Sequence, residues 1–332
     1  MYETRYHKGD LSAYHFLVTG GAGFIGSNLV EYLIKYGAGK VRVLDNLSTG
    51  FLCNLEPYFN YPSFEFVQGD IRDEETCQKA CKGIDIIFHE AALGSVPRSI
   101  QDPITTNSVN ISGFLNILVA AKDQKAKRFV YAASSSTYGD SKKLPKKEDE
   151  IGKPLSPYAV TKYVNELYAD VFAKIYGMQL IGLRYFNVFG PRQSPEGAYA
   201  AVIPLFIQAF CKNTSPHVDG DGEQTRDFTF VENAIQANIK AAFTDNKNAL
   251  NEVFNTAVGD RTSLNKVAQY IKGIAGASAP PLHREPRAGD IRDSHADISK
   301  ARELLGYNPL VKIEEGLKIT YDWFCKEKIY SK

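Results

Sequence analysis

Short apolar runs alternate with longer amphipathic stretches along the first 185 residues of the chain. The apolar runs are rich in β-branched and aromatic residues and predict strands at His15–Thr19, Val41–Leu44, Phe64–Gln68, Ile84–His89, Phe129–Ala133 and Leu180–Tyr185. Apolar residues at helical spacing predict helices between them at Ile25–Tyr36, Glu74–Lys82, Val109–Ala121 and Tyr158–Tyr176. This alternation predicts an α/β fold, with a doubly wound parallel sheet covered by helices on both faces.

The alternation weakens after Gly190, where proline and glycine recur. We therefore predict a first domain in residues 1–189 and mainly a smaller, mixed α/β substrate-binding domain in residues 190–332. Glu252–Thr256 has the composition of one further strand. That strand predicts a return of the chain to the first domain near residues 227–260.

The amino-acid composition indicates which kinds of binding partner and which cellular compartment are expected. The 332 residues are 44% hydrophobic and carry a formal net charge of +1, which argues against nucleic acid or an anionic membrane surface as a partner. The five cysteines are scattered, and no second Cys or His pair completes a metal site with Cys77 and Cys81, so we predict reduced thiols and no metal. Residues 1–13 are polar, and no apolar run approaches the roughly 20 residues of a membrane span. These features predict a cytoplasmic protein without a membrane segment.

A glycine-rich segment, Gly20–Gly26, follows the apolar residues Phe16–Val18 directly. Glycines in this place allow a tight turn and close approach of the backbone to a pyrophosphate, which then meets the N-terminus of the next helix. Asp45 ends the second strand, 19 residues after Gly26, where a carboxylate accepts the ribose hydroxyls of a dinucleotide and repels a 2′-phosphate. The sequence thus predicts a Rossmann-like NAD site. Asp70 is a candidate for the adenine amino group, and Asp70 or Asp73 is an equal candidate for a helix N-cap.

Tyr158 and Lys162 lie four residues apart and share one face of the predicted helix. An ammonium beside a phenol favours the phenolate, so we expect a lowered pKa for Tyr158 and a role as a base. Side chains alternate along a strand, so Ser134 and Ser136 are predicted to point the same way and to act as catalytic hydroxyls, while Ser135 is predicted to serve local backbone. This set suits removal of a proton from an alcohol while a cofactor accepts a hydride.

Two negative observations refine the chemistry. Thr137-Tyr138-Gly139 follows the serines where a dehydratase would need an acid and a base, so the pattern favours redox chemistry without elimination. His89 ends the fourth strand, and we predict a buried histidine beside the cofactor rather than the base.

Arg226 and Arg287 are candidate diphosphate ligands or ordinary surface arginines; the residues alone leave both readings open.

These residues together resemble those of an extended short-chain dehydrogenase/reductase, and specifically of a nucleotide-sugar 4-epimerase. Most similar are bacterial UDP-N-acetylglucosamine 4-epimerases that make precursors of surface polysaccharides. The matching segments run almost from end to end: Thr19–Gly26, Asp45-Asn46, Gly69-Asp70, Ala91-Ala92, Asn110, Ser134–Gly139, Ser156–Lys162, Arg184–Asn187, Arg226-Asp227 and Arg287–Asp290.

The resemblance implies that Tyr158 removes the 4-hydroxyl proton while C4 passes its hydride to NAD, that the 4-keto sugar turns over, and that the hydride returns to its other face. It implies cofactor contacts from Gly20, Gly23, Phe24, Ile25, Gly26, Asp45, Asn46, Ser48, Asp70, Ile71, Ala91, Ala92, Asn110, Tyr158, Lys162 and Tyr185. It implies contacts to a UDP-sugar from Gly94, Ser95, Ser134, Ser136, Asn187, Gln193, Val202, Val218, Arg226, Arg287, Asp290 and Ser294. A homodimer is also implied, formed by packing the helices at Val109–Ala121 and Tyr158–Tyr176 into a four-helix bundle.

Ser294 bears on the choice of sugar. In the resembling galactose epimerases a bulky tyrosine often occupies this place, and a serine would leave room for a C2 N-acetyl group. The resemblance therefore favours UDP-N-acetylglucosamine as substrate. UDP-glucose and UDP-hexuronic acids remain alternatives on the same scaffold, and a catalytically silent NAD-binding module is a more distant one.

Overall fold

The computed structural model describes residues 1–196, 200–286 and 292–327. Its strands, in chain order, are β1 His15–Thr19, β2 Lys40–Asp45, β3 Phe64–Gln68, β4 Ile86–His89, β5 Arg128–Ser134, β6 Leu180–Tyr185, β7 Val188–Phe189, β8 His217–Asp219, β9 Thr225–Arg226, β10 Thr229–Phe230, β11 Val253–Thr256, β12 Thr262–Ser263 and β13 Leu282–Arg284. Its α-helices are α1 Phe24–Lys35, α2 Glu74–Cys81, α3 Val96–Gln101, α4 Pro103–Asn107, α5 Phe114–Asp123, α6 Pro157–Tyr176, α7 Val202–Cys211, α8 Val231–Phe243, α9 Leu264–Ala275, α10 Ser299–Leu305 and α11 Ile313–Glu327.

A seven-stranded parallel sheet forms the centre, in the order β11-β6-β5-β4-β1-β2-β3. The order reverses at β1, and the helices that connect the strands cover both faces, so the predicted doubly wound, Rossmann-like fold is confirmed. All six strands predicted before residue 185 are present. The predicted strand at Glu252–Thr256 is present as β11 and pairs in parallel with β6 at the edge of the sheet.

The two faces of the sheet bury different side chains because neighbours on a strand point to opposite sides. Phe16 and Val18 of β1 belong to one core cluster, whereas Leu17 belongs to the other, and all three are fully buried. Strands buried on both faces read as continuous apolar runs, which is why the sequence marks them clearly. The first cluster extends from Tyr2 to Phe324 and so draws on both predicted domains. The division at residue 190 therefore stays a prediction.

Two parts of the sequence reading were incomplete. After residue 190 the alternation of strands and helices continues through α7 to α11, with short strand pairs of two or three residues between them. Such short strands carry no periodic signal. The predicted helix at Val109–Ala121 is part of a longer helical run that begins at α4, passes through a π-helical turn at Ser108–Gly113 and ends with α5.

That run, Pro103–Asp123, is long and apolar enough for a membrane span, with a mean hydropathy of 1.2, contrary to the sequence reading. In the fold, 44% of its most apolar 18-residue window is buried inside the protein, and Phe114 and Ile117 of the run lie in the same core cluster as Leu17. Length and composition do not distinguish a membrane span from a buried core helix, so this one run is weak evidence for a membrane span.

Candidate active site

A cleft of about 580 Å³ opens along the carboxyl ends of β1, β2, β4, β5 and β6. Parallel strands all end at the same edge of the sheet, so the residues that follow them meet there although they are distant in sequence. The volume lies in the range of small-molecule and cofactor sites. Most of the predicted cofactor residues line this cleft: Gly20, Gly23, Phe24, Ile25, Gly26, Asp45, Asn46, Ser48, Ile71, Ala91, Ala92, Tyr158, Lys162 and Tyr185.

The glycine turn joins β1 to α1 with little space for side chains. Gly20 has a φ of +69°, and a Cβ placed there would lie 2.7 Å from the backbone nitrogen of Ala91. A Cβ at Gly26 would collide with the carbonyl oxygen of Gly20. The N-terminus of α1, at Phe24, follows at once and directs free backbone N–H groups into the cleft. A diphosphate therefore fits this cradle.

Asp45 ties the end of β2 to the glycine turn. Its carboxylate accepts the N–H of Ala22 at 2.9 Å and the N–H of Leu47 at 2.8 Å. Burial raises the pKa of Asp45, and these two hydrogen bonds oppose that rise by stabilising the charged form. The carboxylate is thus held in the lining of the cleft, and its predicted contact with a ribose stays a prediction.

Asp70 does not line the cleft, although it was predicted to contact the cofactor. Its carboxylate accepts hydrogen bonds from both ends of the Arg72 guanidinium, at 3.0 and 2.7 Å, and from Asn46 at 2.9 Å. The hydrogen bonds from Arg72 lower the pKa of Asp70 to about 2. Asp73, not Asp70, is the N-cap of α2 and accepts the N–H of Thr76. Asp70 therefore orients Asn46, which does line the cleft.

Tyr158 and Lys162 both lie on α6, near its N-terminus, where Ser156 caps the helix by accepting the N–H of Ala159. Both side chains line the cleft. The ammonium of Lys162 donates to the carbonyl oxygen of Ala132 on β5 at 2.7 Å, and burial lowers the pKa of Lys162 to about 8. One turn later, Glu166 forms a buried ion pair with Arg184 of β6 at 2.8 Å, which fixes α6 against the sheet.

The expected lowering of the Tyr158 pKa is not found. Burial raises this pKa, and the opposing influence is a hydrogen bond with Ser134. A buried phenol resists ionisation because the phenolate loses its hydration. A positive charge brought by a cofactor, such as that of the oxidised nicotinamide ring, would lower this pKa if it lay near Tyr158.

Ser134 and Ser136 are hydrogen-bonded to each other, in an arrangement that strand alternation did not predict. Ser134 is the last residue of β5, whereas Ser136 lies in the 3₁₀ turn Ser135–Tyr138, so strand alternation ends before it. The Oγ of Ser134 accepts both the N–H and the hydroxyl of Ser136, at 3.1 and 2.9 Å. Ser134 and Ser135 line the cleft, and Ser136 reaches it only through Ser134. Ser135 thus borders the cleft, and its predicted role in satisfying local backbone stays a prediction.

His89 is buried, as predicted, with its Nδ1 2.9 Å from the hydroxyl of Thr19 and its ring stacked on Phe129. Burial lowers the pKa of His89 to about 3, so the ring is neutral near pH 7. The next residue, Glu90, was missed. It lines the cleft and accepts a 2.8 Å hydrogen bond from the hydroxyl of Tyr185. Glu90 could have been predicted as a cleft residue from the sequence, because it follows the strand β4 directly and precedes the predicted cofactor residues Ala91 and Ala92.

The predicted substrate residues divide into three groups. Gly94, Ser95, Ser134, Asn187 and Gln193 line the cleft. Arg98, Ser194, Glu196, Ala200 and Ala201 also line it and were not predicted. Ser136, Val202, Val218, Arg226 and Ser294 lie outside its lining. Arg287 and Asp290 fall outside the described residues, so their predicted roles stay predictions.

Asn110 also lies outside the lining of the cleft. Its side chain accepts the N–H of Leu93 at 2.8 Å and donates to the hydroxyl of Thr161 at 3.1 Å. It thereby joins the loop after β4 to the helix that carries Lys162. The structure places Asn110 as a support of the cofactor site, at the π-helical turn.

Ser294 and Arg226 lie side by side, outside the lining of the cleft. The N–H of Ser294 donates to the carbonyl oxygen of Thr225 at 3.0 Å, and Arg226 donates to the same oxygen at 2.9 Å. The neighbouring Asp227 is buried and accepts the N–H groups of Val258 and Gly259, at 3.0 and 3.1 Å. This acid anchors the segment that carries both residues.

The NAD dependent epimerase/dehydratase family matches residues 16–257 of the chain. A UDP-glucose 4-epimerase of Mycolicibacterium smegmatis is 37% identical over 310 residues, which cover 93% of this chain and 97% of that protein. The crystal structure of the Thermotoga maritima UDP-glucose 4-epimerase with UDP-glucose is 38% identical, with a TM-score of 0.88, and the match covers 94% of this chain and 99% of that one. The UDP-N-acetylglucosamine 4-epimerase of Methanobrevibacter ruminantium, solved with UDP-N-acetylmuramic acid, is 39% identical with a TM-score of 0.90 over 96% of this chain and 100% of that one.

The fold, the glycine turn and the Ser134–Tyr158–Lys162 set thus define an extended short-chain dehydrogenase/reductase. The chain belongs to the NAD dependent epimerase/dehydratase family, and its cofactor is NAD.

Proposed function

We propose that the protein is an NAD-dependent UDP-N-acetylglucosamine 4-epimerase, which interconverts UDP-N-acetylglucosamine and UDP-N-acetylgalactosamine through a 4-keto sugar. The observation that carries this proposal is the common cleft: the phenol of Tyr158, the hydroxyl of Ser134 and the ammonium of Lys162 line the same 580 Å³ space as the glycine turn and Asp45. Oxidation and reduction of one carbinol carbon need a proton acceptor and a hydride acceptor side by side.

In the proposed reaction, NAD held at the glycine turn and Asp45 would supply the hydride acceptor for C4 of the sugar and, once reduced, the hydride donor that restores the C4–H bond. Tyr158 accepts the proton of the 4-hydroxyl as the C4–H bond breaks, and gives it back when the ketone is reduced. Ser134 already accepts two hydrogen bonds from Ser136, so its own O–H proton is directed to another acceptor, either Tyr158 or the sugar oxygen. Lys162, fixed by Ala132, places a buried ammonium in the cleft that Tyr158 also lines.

Epimerisation also requires that the ketone be presented on both of its faces. The chain lacks an acid and base pair after Ser136, and Thr137 and Tyr138 are buried there instead. No group in that segment is therefore available to eliminate water from the ketone. This supports epimerisation over dehydration as the outcome of the oxidation.

The choice of the acetylated sugar rests on Ser294. This half-buried serine lies beside Arg226, which we propose as a ligand of the UDP moiety together with Asn187, Arg287 and Asp290. A serine leaves more room than a tyrosine for a C2 N-acetyl group. The similarity to a UDP-N-acetylglucosamine 4-epimerase supports the same choice.

The deciding experiment is to incubate the purified protein with UDP-N-acetylglucosamine, without added NAD, and to follow UDP-N-acetylgalactosamine by proton NMR. UDP-glucose and a UDP-hexuronic acid serve as parallel substrates. The similarity to UDP-glucose 4-epimerases makes UDP-glucose the main alternative. Higher kcat/KM on UDP-glucose than on UDP-N-acetylglucosamine would contradict the proposed substrate, and no turnover of any UDP-sugar would favour a non-catalytic NAD-binding protein.

Ser294→Tyr tests the specificity residue itself. The larger side chain should reduce kcat/KM for UDP-N-acetylglucosamine by at least about tenfold more than for UDP-glucose, since a steric clash affects the N-acetyl group alone. Ser299→Ala, at the exposed start of α10, is the matched control. Equal losses on both sugars would show that Ser294 does not select the substrate.

We also propose a homodimer. On α6, the exposed side chains Val160, Leu167, Val171 and Ile175 recur at helical spacing, and Ile175 is 67% exposed. Ile104 on the neighbouring α4 is 82% exposed. An apolar stripe of this length suits the same stripe of a second copy in a four-helix bundle. The other predicted helix of the bundle, Val109–Ala121, buries most of its apolar residues in its own core, and α4 lies before it in the chain, so we propose α4 rather than that helix as the second contact. A cytoplasmic location and a role in surface polysaccharides stay predictions.

A further inference from the structure

A carboxylate that the reaction scheme does not use lines the same cleft as Lys162. Glu90 follows β4, and Lys162 lies on α6; both line the cleft. The backbone of Glu90 is fixed to β1 by its N–H, which donates to the carbonyl oxygen of Thr19 at 3.1 Å. The position of Glu90 is therefore determined by the sheet.

The side chain of Glu90 is held by a chain of hydrogen bonds through the neighbouring elements. The hydroxyl of Tyr185, on β6, donates to Oε1 of Glu90 at 2.8 Å. That hydroxyl in turn accepts a 2.7 Å hydrogen bond from Nδ2 of Asn238, on α8. Since the amide of Asn238 already donates to Tyr185, the hydroxyl proton is directed to Glu90, and this hydrogen bond favours the ionised carboxylate against the burial that disfavours it.

Lys162 needs a nearby negative charge to stay protonated. Its ammonium has a neutral partner, the carbonyl oxygen of Ala132, and burial disfavours its charge. The charged groups that act on it are Glu90 and Glu166, and Glu166 is already paired with Arg184. His89, on the same strand end as Glu90, is buried and neutral near pH 7.

We propose that Glu90 is a positioning residue of the active site: its carboxylate, oriented by Tyr185 and Asn238, keeps Lys162 protonated in the cleft that Tyr158 also lines. Glu90 touches neither reacting carbon nor oxygen in this proposal and acts through Lys162. The proposal rests on the assigned role of Lys162 in the proposed epimerase, yet the charge of Lys162 can be measured without turnover.

The expected direction of the pH dependence of turnover follows from the charges of Glu90 and Lys162. Burial raises the pKa of Glu90 to about 7 and lowers the pKa of Lys162 to about 8. A carboxylate beside an ammonium raises the pKa of the ammonium, so removing the charge of Glu90 lowers the pKa of Lys162 further. Turnover should then fall at a lower pH in the variant than in the unmodified protein.

The test uses Glu90→Gln, whose amide oxygen can still accept from Tyr185, and Glu90→Asp, which keeps the charge on a shorter side chain. Lys162 is labelled by a limiting amount of acetic anhydride at a series of pH values between about 6 and 10, and the labelled peptide is quantified by mass spectrometry. We expect the labelling midpoint to fall by about one pH unit in Glu90→Gln and to stay near that of the unmodified protein in Glu90→Asp. Glu75→Gln, an exposed carboxylate paired with Lys79, is the control.

An unchanged midpoint in folded Glu90→Gln, verified by its melting temperature, would overturn the proposal, because a purely structural acceptor moves no titration. Equal shifts in Glu90→Gln and Glu90→Asp would overturn it too, since the shift would then not follow the charge. The pH profile of kcat is the second readout, with its alkaline limb displaced in the same direction. If no UDP-sugar is turned over, the proposed function fails, and the labelling result still decides the coupling of Glu90 to Lys162.

Discussion

The hydroxyl of Ser136 donates to the hydroxyl of Ser134 at 2.9 Å, and the backbone N–H of Ser136 donates to the same oxygen at 3.1 Å. The two serines are therefore not equivalent, although they belong to one serine run. Ser134 faces the cleft with its own proton directed to another acceptor, and Ser136 orients it from behind.

Ser134→Ala should reduce kcat by about 10²-fold, since it removes a hydrogen bond to the reacting oxygens. Ser136→Ala should reduce kcat by less than about tenfold, since a water can replace the orienting hydroxyl while the backbone N–H remains. Steady-state kinetics on UDP-N-acetylglucosamine measure both, with Ser299→Ala as control. A larger loss in Ser136→Ala would reverse the assigned roles.

Tyr158→Phe should reduce kcat by at least about 10³-fold because the proton acceptor is lost. The variant should still bind NAD because the aromatic ring that lines the cleft is kept. The NAD content after gel filtration, measured by its release on heating, separates binding from chemistry. Tyr168→Phe, on the same helix, should retain full activity. Epimerisation that persists in Tyr158→Phe would assign the base to another group.

Asp45→Asn should weaken the binding of NAD by about tenfold, and it should reduce the preference for NAD over NADP. The amide keeps an oxygen to accept one of the N–H groups of Ala22 and Leu47, so the turn is largely preserved. Isothermal titration of protein stripped of cofactor measures both affinities, with the exposed Asp10→Asn as control. An unchanged ratio of the two affinities would argue against the ribose contact.

The double variant Leu167→Glu and Ile175→Glu should convert the proposed dimer to a monomer at micromolar concentration, because buried unpaired carboxylates are costly. Sedimentation velocity measures the change. Leu310→Glu alters an equally exposed leucine away from α6 and should leave the oligomeric state as it was. An unmodified protein that sediments as a monomer would refute the dimer.

The fold and much of the cofactor site were predictable because their signals are local. The strands of the sheet are continuous apolar runs, and the glycine turn needs residues without a Cβ in one short segment. Asp45 was predictable because the length of one β-α-β unit determines where the second strand ends. The helical spacing of Tyr158 and Lys162 placed both on one face of α6.

Other features depended on contacts between distant segments. Asn110 was read as a cofactor ligand, and the structure engages its amide with Leu93 and Thr161, which lie 17 and 51 residues away. The Sγ atoms of Cys211 and Cys325, 114 residues apart, lie 3.8 Å from each other. The short strands after residue 190 pair two or three residues each, too few for a periodic pattern.

By itself the sequence determined the class of fold, the dinucleotide cradle and the tyrosine–lysine pair, since each is encoded by residue type and spacing within one or two adjacent elements. Only the tertiary structure decided the electrostatics of the site. It buries Tyr158 so that its pKa rises, and it joins Glu90 to Tyr185 and Tyr185 to Asn238 by hydrogen bonds. Burial and through-space charge depend on which elements pack together, and no local pattern in the chain records them.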